Sequence, residues 1–248
     1  MQTSTKLILL VSLLVLSSCM SPSDAAINVA VGSPPAVAGC DSCSGDLSLA
    51  VHFEDATNHN VTVGTPCGCS DGDAIYTLAS SAVESTTQKS DGTYSLSIPT
   101  MADYAVFDVS TNDIFTPVAG TLVFDMYVTT WANYTVLFTA RYNATNYLTV
   151  TILDDSEIRA RYSGAGTVIT VETSGASLVV NTWYTITVKW RQADLNPNLS
   201  INANTQTTTD NTNLTAWDAS ATNIWLGDID VAGWALFIDN VKVYNTWQ

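Results

Sequence analysis

The chain has 248 residues, 46% of them hydrophobic, and carries 23 acids against 8 Lys and Arg for a formal net charge of −15. Such a chain can bury a substantial core in one large domain or two small ones. The acidity excludes nucleic acid as a partner, because phosphates are repelled, and excludes a polybasic membrane patch; solubility is the first use of such charge.

Residues 1–18 read as an export signal. Lys6 precedes "LILLVSLLVL" (7–16), an apolar run of ten residues with a single Ser, shorter than the about 20 residues that a spanning helix needs. The next stretch, "LSSC" (16–19), resembles a bacterial lipobox. That resemblance implies lipidation of Cys19 and a membrane link only through the lipid anchor. Met20, in a place where Asp would resemble an inner-membrane retention signal, points to the outer membrane or cell surface. An ordinary signal cleaved near "SDAA" (23–26) is the alternative. Residues 19–44, rich in Ser, Pro, Ala and Gly, form a flexible linker. Cys40, Cys43, Cys67 and Cys69 make "CDSC" and "CGC". In an exported chain these imply two disulfides, paired across the clusters because a bridge within "CGC" is strained; a four-thiolate zinc site is the alternative.

From Leu47 onward, short runs of β-branched and aromatic residues alternate with Gly, Asn, Asp and Pro. In chain order they are 47–53, 93–98, 104–109, 120–128, 134–142, 147–153, 157–162, 166–172, 183–190, 198–203, 223–229 and 235–247. No window shows a helical period, so the spacing predicts an all-β sandwich or barrel of antiparallel sheets. In the last run, "ALFIDNVKVYNTW", a period of two puts Asp239 on one face with Phe237, Val241 and Val243. A carboxylate on an apolar face needs hydrogen bonds, a counter-charge or a metal.

The order "NTWYTITVKW" (181–190), "NLSINANTQ" (198–206) and "IWLGDIDVAGWALFIDNVKVYN" (224–245) resembles the closing half of a laminin G-like domain. Trp183, Tyr184, Trp190, Gly227 or Gly233, Ile238, Asp239, Val241 and Tyr244 carry the likeness, and Tyr127 stands where an earlier strand usually has Trp. The hairpin "INANTQ" departs from the usual pattern by lacking Gly. The resemblance implies a concanavalin A-like jelly roll over residues 45–248. It also implies a Ca²⁺ site of structural kind, for which Glu54, Asp228 and Asp239 are the candidate ligands.

A retaining glycosidase of this fold needs two acids about 5–5.5 Å apart. Glu54, Glu84, Glu157 and Glu172 are the four Glu, and no two lie four or five residues apart. His52 and His59 lack a catalytic context, and Gly-x-Ser-x-Gly and P-loop patterns are missing. No residue is therefore assigned as catalytic. The favoured function is carbohydrate binding, or binding of a glycosylated or protein partner. A polysaccharide-active hydrolase or lyase is the alternative, and a structural envelope protein a third. Trp131, Tyr134, Tyr142 and Trp217 are candidate stacking residues, each with edge packing as its bland alternative. Arg141, Arg159 and Arg161 are candidate contacts to carboxylated or sulfated glycans, if the meander expected for 134–162 puts them on one face. The competing expectation is that they pair with the abundant acids.

Overall fold

A computed structural model describes residues 47–51, 53, 60–65, 68–100, 103–109, 115–130, 134–153, 157–173, 175, 176, 178–192, 197–227 and 235–248, with the backbone alone for 60–65 and 68–75. The strands are β1 (Leu47–Val51), β2 (Asn60–Thr65), β3 (Gly68–Ala79), β4 (Val83–Ser85), β5 (Ser95–Ile98), β6 (Tyr104–Asp108), β7 (Ala119–Val128) and β8 (Thr135–Asn143). They continue with β9 (Asn146–Ile152), β10 (Ile158–Gly164), β11 (Thr167–Glu172), β12 (Trp183–Arg191), β13 (Leu199–Ala203), β14 (Gln206–Asp210), β15 (Asn223–Gly227) and β16 (Leu236–Tyr244). All pairings are antiparallel and they build two sheets. Sheet I runs β14–β13–β12–β7–β16–β1–β2–β3, with β5 beside the start of β16 and β4 outside it. Sheet II runs β11–β10–β9–β8–β15–β6–β3. β3 serves both, pairing with β2 up to Ile75 and with β6 from Tyr76, so it turns the corner between the sheets.

Strict alternation carries the core. In β9, Leu148, Val150 and Ile152 point inward while Tyr147, Thr149 and Thr151 do not; β12 and β15 alternate likewise. Between the sheets lies an aromatic column. Phe115 stacks on Trp190 at 4.7 Å between centroids and on Trp217 at 5.3 Å, and Trp217 meets Tyr162 at 5.7 Å. Polar tips are tied off around it: Trp190 Nε1 donates to Thr116 O at 2.9 Å, and Tyr162 Oη donates to Pro117 O at 3.1 Å while accepting from Gln192 Nε2. Burial pushes the Tyr162 phenol up to about 12, against the opposing effect of the Gln192 hydrogen bond.

Close approach requires glycine at positions 120 and 164. A Cβ on Gly120 would sit 2.1 Å from the Trp190 ring, and one on Gly164 would sit 1.9 Å from the Thr215 carbonyl oxygen. The second contact is with backbone, which cannot swing aside as a side chain can. Gly164→Ala is therefore expected to destabilise the fold by about 2 kcal/mol in urea unfolding; wild-type stability would show that the 211–217 segment is not pressed on β10.

Four strands escape the pattern reading: β2, β3, β4 and β14. "NVTVGT", "GCSDGDAIYTLA" and "QTTTD" lack a clean apolar alternation. β14 is an edge strand whose β-branched Thr residues favour the extended backbone with little apolar burial. The hairpin without glycine is accommodated by Asn204 at φ 56°, a left-handed conformation that Asn tolerates, and its side-chain amide donates to Ala176 O at 2.9 Å.

The period-two reading of the last strand is corrected by a bulge. Asp239 pairs with Asp125 and Lys242 with Val123, so β16 carries one extra residue there, and Asn240 takes φ 49°. Val241 and Val243 point into the core with Ile238, whereas Phe237 and Asp239 are on the other face, Phe237 against the Tyr127 ring at 5.9 Å.

Candidate functional site

Asp239 is 1% exposed, yet its carboxylate is fully engaged. Oδ2 accepts from Ser90 N at 3.0 Å, Ser90 Oγ at 3.1 Å and Asp91 N at 3.3 Å, and Oδ1 accepts from Asn240 N at 2.8 Å. Opposite it, Asp125 accepts from Ser90 Oγ at 2.8 Å, Asn240 Nδ2 at 2.9 Å and Thr185 Oγ1 at 2.6 Å. The cluster anchors the segment between β4 and β5 to the outer face of sheet I. The carboxyl of Asp239 is raised above the ordinary range by burial, which outweighs the amide hydrogen bonds from Ser90, Asn240 and Asp91. Asp239 thus ties the last strand to the 90–91 turn through backbone amides. Glu54 and Asp228 lie outside the described residues, and among those described no three His, Cys, Asp or Glu side chains group as metal ligands.

The outer face of sheet II is chemically different. Cross-strand register sets its side chains in rows. Arg161 (β10), Thr149 (β9), Thr139 (β8), Trp225 (β15) and Val106 (β6) form one row. Beside it run Ser163, Tyr147, Arg141, Asn223 and Asp108. The residues between them along each strand, among them Ala140, Leu148, Tyr162 and Ile224, are in the core. Trp225, Tyr147 and Arg141 are half-buried and Arg161 is exposed. Trp225 is a diagonal neighbour of Arg141, within reach for long side chains.

The meander 134–162 forms as expected, with Arg141 and Arg161 on one face. The register differs by one at each turn: Arg141 pairs with Tyr147 and Tyr162 with Leu148, which sets the two arginines in adjacent rows. Arg159 lies two residues further along β10, donating from Nε to Glu172 Oε1 at 2.6 Å, with its guanidinium 6.0 Å from the Tyr134 ring centroid. Pairing with acids thus holds for Arg159. Arg141 and Arg161 make no side-chain ion pair or hydrogen bond among the described residues.

The aromatics divide. Tyr134 is 51% and Tyr142 37% exposed, the first at φ 63° and the second at the bulge near the end of β8. Trp217 is instead a core residue, held between Phe115 and Tyr162. Its polar loop context in the sequence hid that role. Trp225 and Tyr147, not among the candidates read from the sequence, also face outward. The signal was there: in "NIWLG" and "NYLTVTI" the flanking aliphatics point inward, so Trp225 and Tyr147 must point out. Cys19, Cys40, Cys43, Cys67 and Trp131 lie outside the described residues, and Cys69 is described only as a β3 backbone position opposite Gly64.

Solved structures share this arrangement of two sheets. The binding domain of botulinum neurotoxin serotype G superposes with a TM-score of 0.62 at 11% identity, covering 82% of this chain and 48% of that one. The receptor-binding domain of the botulinum neurotoxin C/D mosaic serotype gives 0.59 at 9% identity, covering 82% and 48%. The serotype D binding domain gives 0.59 at 9%, covering 84% and 49%. The fold is a concanavalin A-like jelly roll. This chain spans about half the length of the structures it matches. No protein-family model and no curated protein matches the sequence. Within the jelly roll, the side chains on the outer face of sheet I around Asp125 and Asp239 bond to one another. On the outer face of sheet II, Trp225, Tyr147, Arg141 and Arg161 make no such bonds among the described residues.

Proposed function

We propose that this jelly roll is a carbohydrate-binding module and that the outer face of sheet II is its binding surface. The observation that carries the reading is the outward set of Trp225 and Tyr147 beside Arg141 and Arg161, none of which the core uses. Aromatic faces stack on the C–H surfaces of a sugar ring, and planar cations bond its oxygens. The fold neighbours are named as receptor-binding domains, which supports binding over catalysis. The two facing acids, Asp125 and Asp239, are poor catalytic candidates because Asp239 is buried and both bond to Ser90. Lipid anchoring through Cys19 and display at the cell surface belong to the same reading. The test is a glycan array on residues 45–248, followed by calorimetry with the best binder. Trp225→Ala should weaken binding about tenfold, the equivalent of about 1.4 kcal/mol. Unchanged affinity in that variant would remove the binding face from sheet II, and a protein that binds no glycan would refute the module.

A further inference from the structure

The charge on sheet II runs against the rest of the chain. With 23 acids to 8 bases, every Lys and Arg has nearly three carboxylates available in composition. Three of the four arginines nonetheless lie on one sheet face, on β8 and β10. Only one of those three, Arg159, is matched, by Glu172 directly opposite it on β11. Arg141 and Arg161 have no acidic partner among the described residues, although Asp108 lies in the Arg141 row two strands away across Asn223. The residues directly opposite them are Thr149, Thr170, Tyr147 and Asn223, which are neutral and hydrogen-bonding, and Glu172, diagonal to Arg161, is engaged by Arg159. A guanidinium is a fork of N–H donors that matches carboxylate or sulfate oxygens two at a time. Two such forks, with neutral polar and aromatic side chains between them, complement an anion that the acidic remainder of the surface would repel.

From this, and resting on the glycan-binding reading above, we infer that the ligand is an acidic polysaccharide, with one carboxylate or sulfate group on Arg141, another on Arg161, and a sugar ring on Trp225. The spread of the three residues over β8, β10 and β15 argues for a polymer. Arg141 and Arg161 are two strands and two residues apart, which places their Cα atoms about 12 Å from each other. Side chains that stand side by side at that spacing can each take one of two successive charged groups along a chain. Trp225 lies in the Arg161 row and diagonal to Arg141, so a chain crossing the strands meets all three.

The test compares dextran sulfate, alginate and uncharged dextran as calorimetric titrants for residues 45–248. Wild type should bind at least one of the two acidic polymers at least tenfold tighter than dextran, with affinity falling as salt rises. The double variant Arg141→Gln, Arg161→Gln should lose at least tenfold toward that polymer. Arg141→Lys with Arg161→Lys should recover only part of it, because the charge returns without the fork. Arg159→Gln should change binding less than threefold, since Glu172 already engages that side chain. Sulfate and carboxylate specificity separate by which polymer binds. If the double Gln variant keeps full affinity for the acidic polymer while Trp225→Ala loses it, the acidic-ligand inference falls and the glycan-binding face stands. Preference for dextran has the same consequence. If none of the three polymers binds and the array is blank, both readings fall together.

Discussion

Trp217→Ala is expected to lower the free energy of unfolding by about 3–5 kcal/mol, the range for truncating a buried aromatic. The ring is 7% exposed, stacks on Phe115 with an interplanar angle of 25° and leans on Tyr162. Removing it opens a void in the column that joins Trp190 on sheet I to Tyr162 on sheet II, so the loss is felt in both sheets. Its Nε1 is buried with no hydrogen-bond partner among the described residues. Trp217→Phe should therefore cost much less than Trp217→Ala, since it gives up ring volume and no hydrogen bond. Urea unfolding of the three proteins measures this. Any affinity of the folded fraction for glycan should stay at the wild-type value. A Trp217→Ala protein with wild-type stability and no binding would return Trp217 to the ligand site and overturn its place in the core.

Asp239→Ala is expected to cost about 3 kcal/mol, because the carboxylate's acceptor oxygens organise three backbone amides and a hydroxyl. The effect should depend on pH in a direction that follows from burial. Its carboxyl is raised in the folded chain, so the native state holds the proton more tightly than the unfolded chain does. The stability it brings is full below the unfolded value of about 4 and declines as pH rises through the raised folded value. Asp239→Ala lacks that decline. The gap between wild type and variant should be widest in acid and narrow toward neutral pH, as read from urea midpoints across the range. A gap that widens toward neutral pH would mean that the hydrogen bonds outweigh burial and hold the carboxyl below its ordinary range. Ser90→Ala, which removes only the hydroxyl shared with Asp125, should weaken the fold by less.

Much of the sandwich was legible because its strands alternate. "NYLTVTI", "WYTITVKW" and "NIWLG" each declare a buried face, and antiparallel sheets packed on one core follow from repeating that pattern. The meander of β8, β9 and β10 and the shared face of Arg141 and Arg161 were also within reach, since turns at 143–146 and after 153 set the register to within one residue. By contrast, β2, β3 and β14 form because neighbouring strands offer unpaired backbone groups, a condition that no local apolar pattern records.

What the sequence determined by itself is the all-β class, the inward face of most strands, and a carboxylate at 239 that had to be satisfied. Only the tertiary structure decided how. The extra residue at Asn240 turns Asp239 away from Val241, and two of the three amides that bond its carboxylate come from a turn some 149 positions earlier in the chain. Only packing decided that Trp217, in a polar loop, completes a column with Phe115 and Trp190 while Trp225, in an apolar strand, faces outward. Alternation is a local consequence of backbone geometry and can be read along the chain. Which distant side chain fills a void or caps a charge depends on contacts that exist only once both sheets have closed.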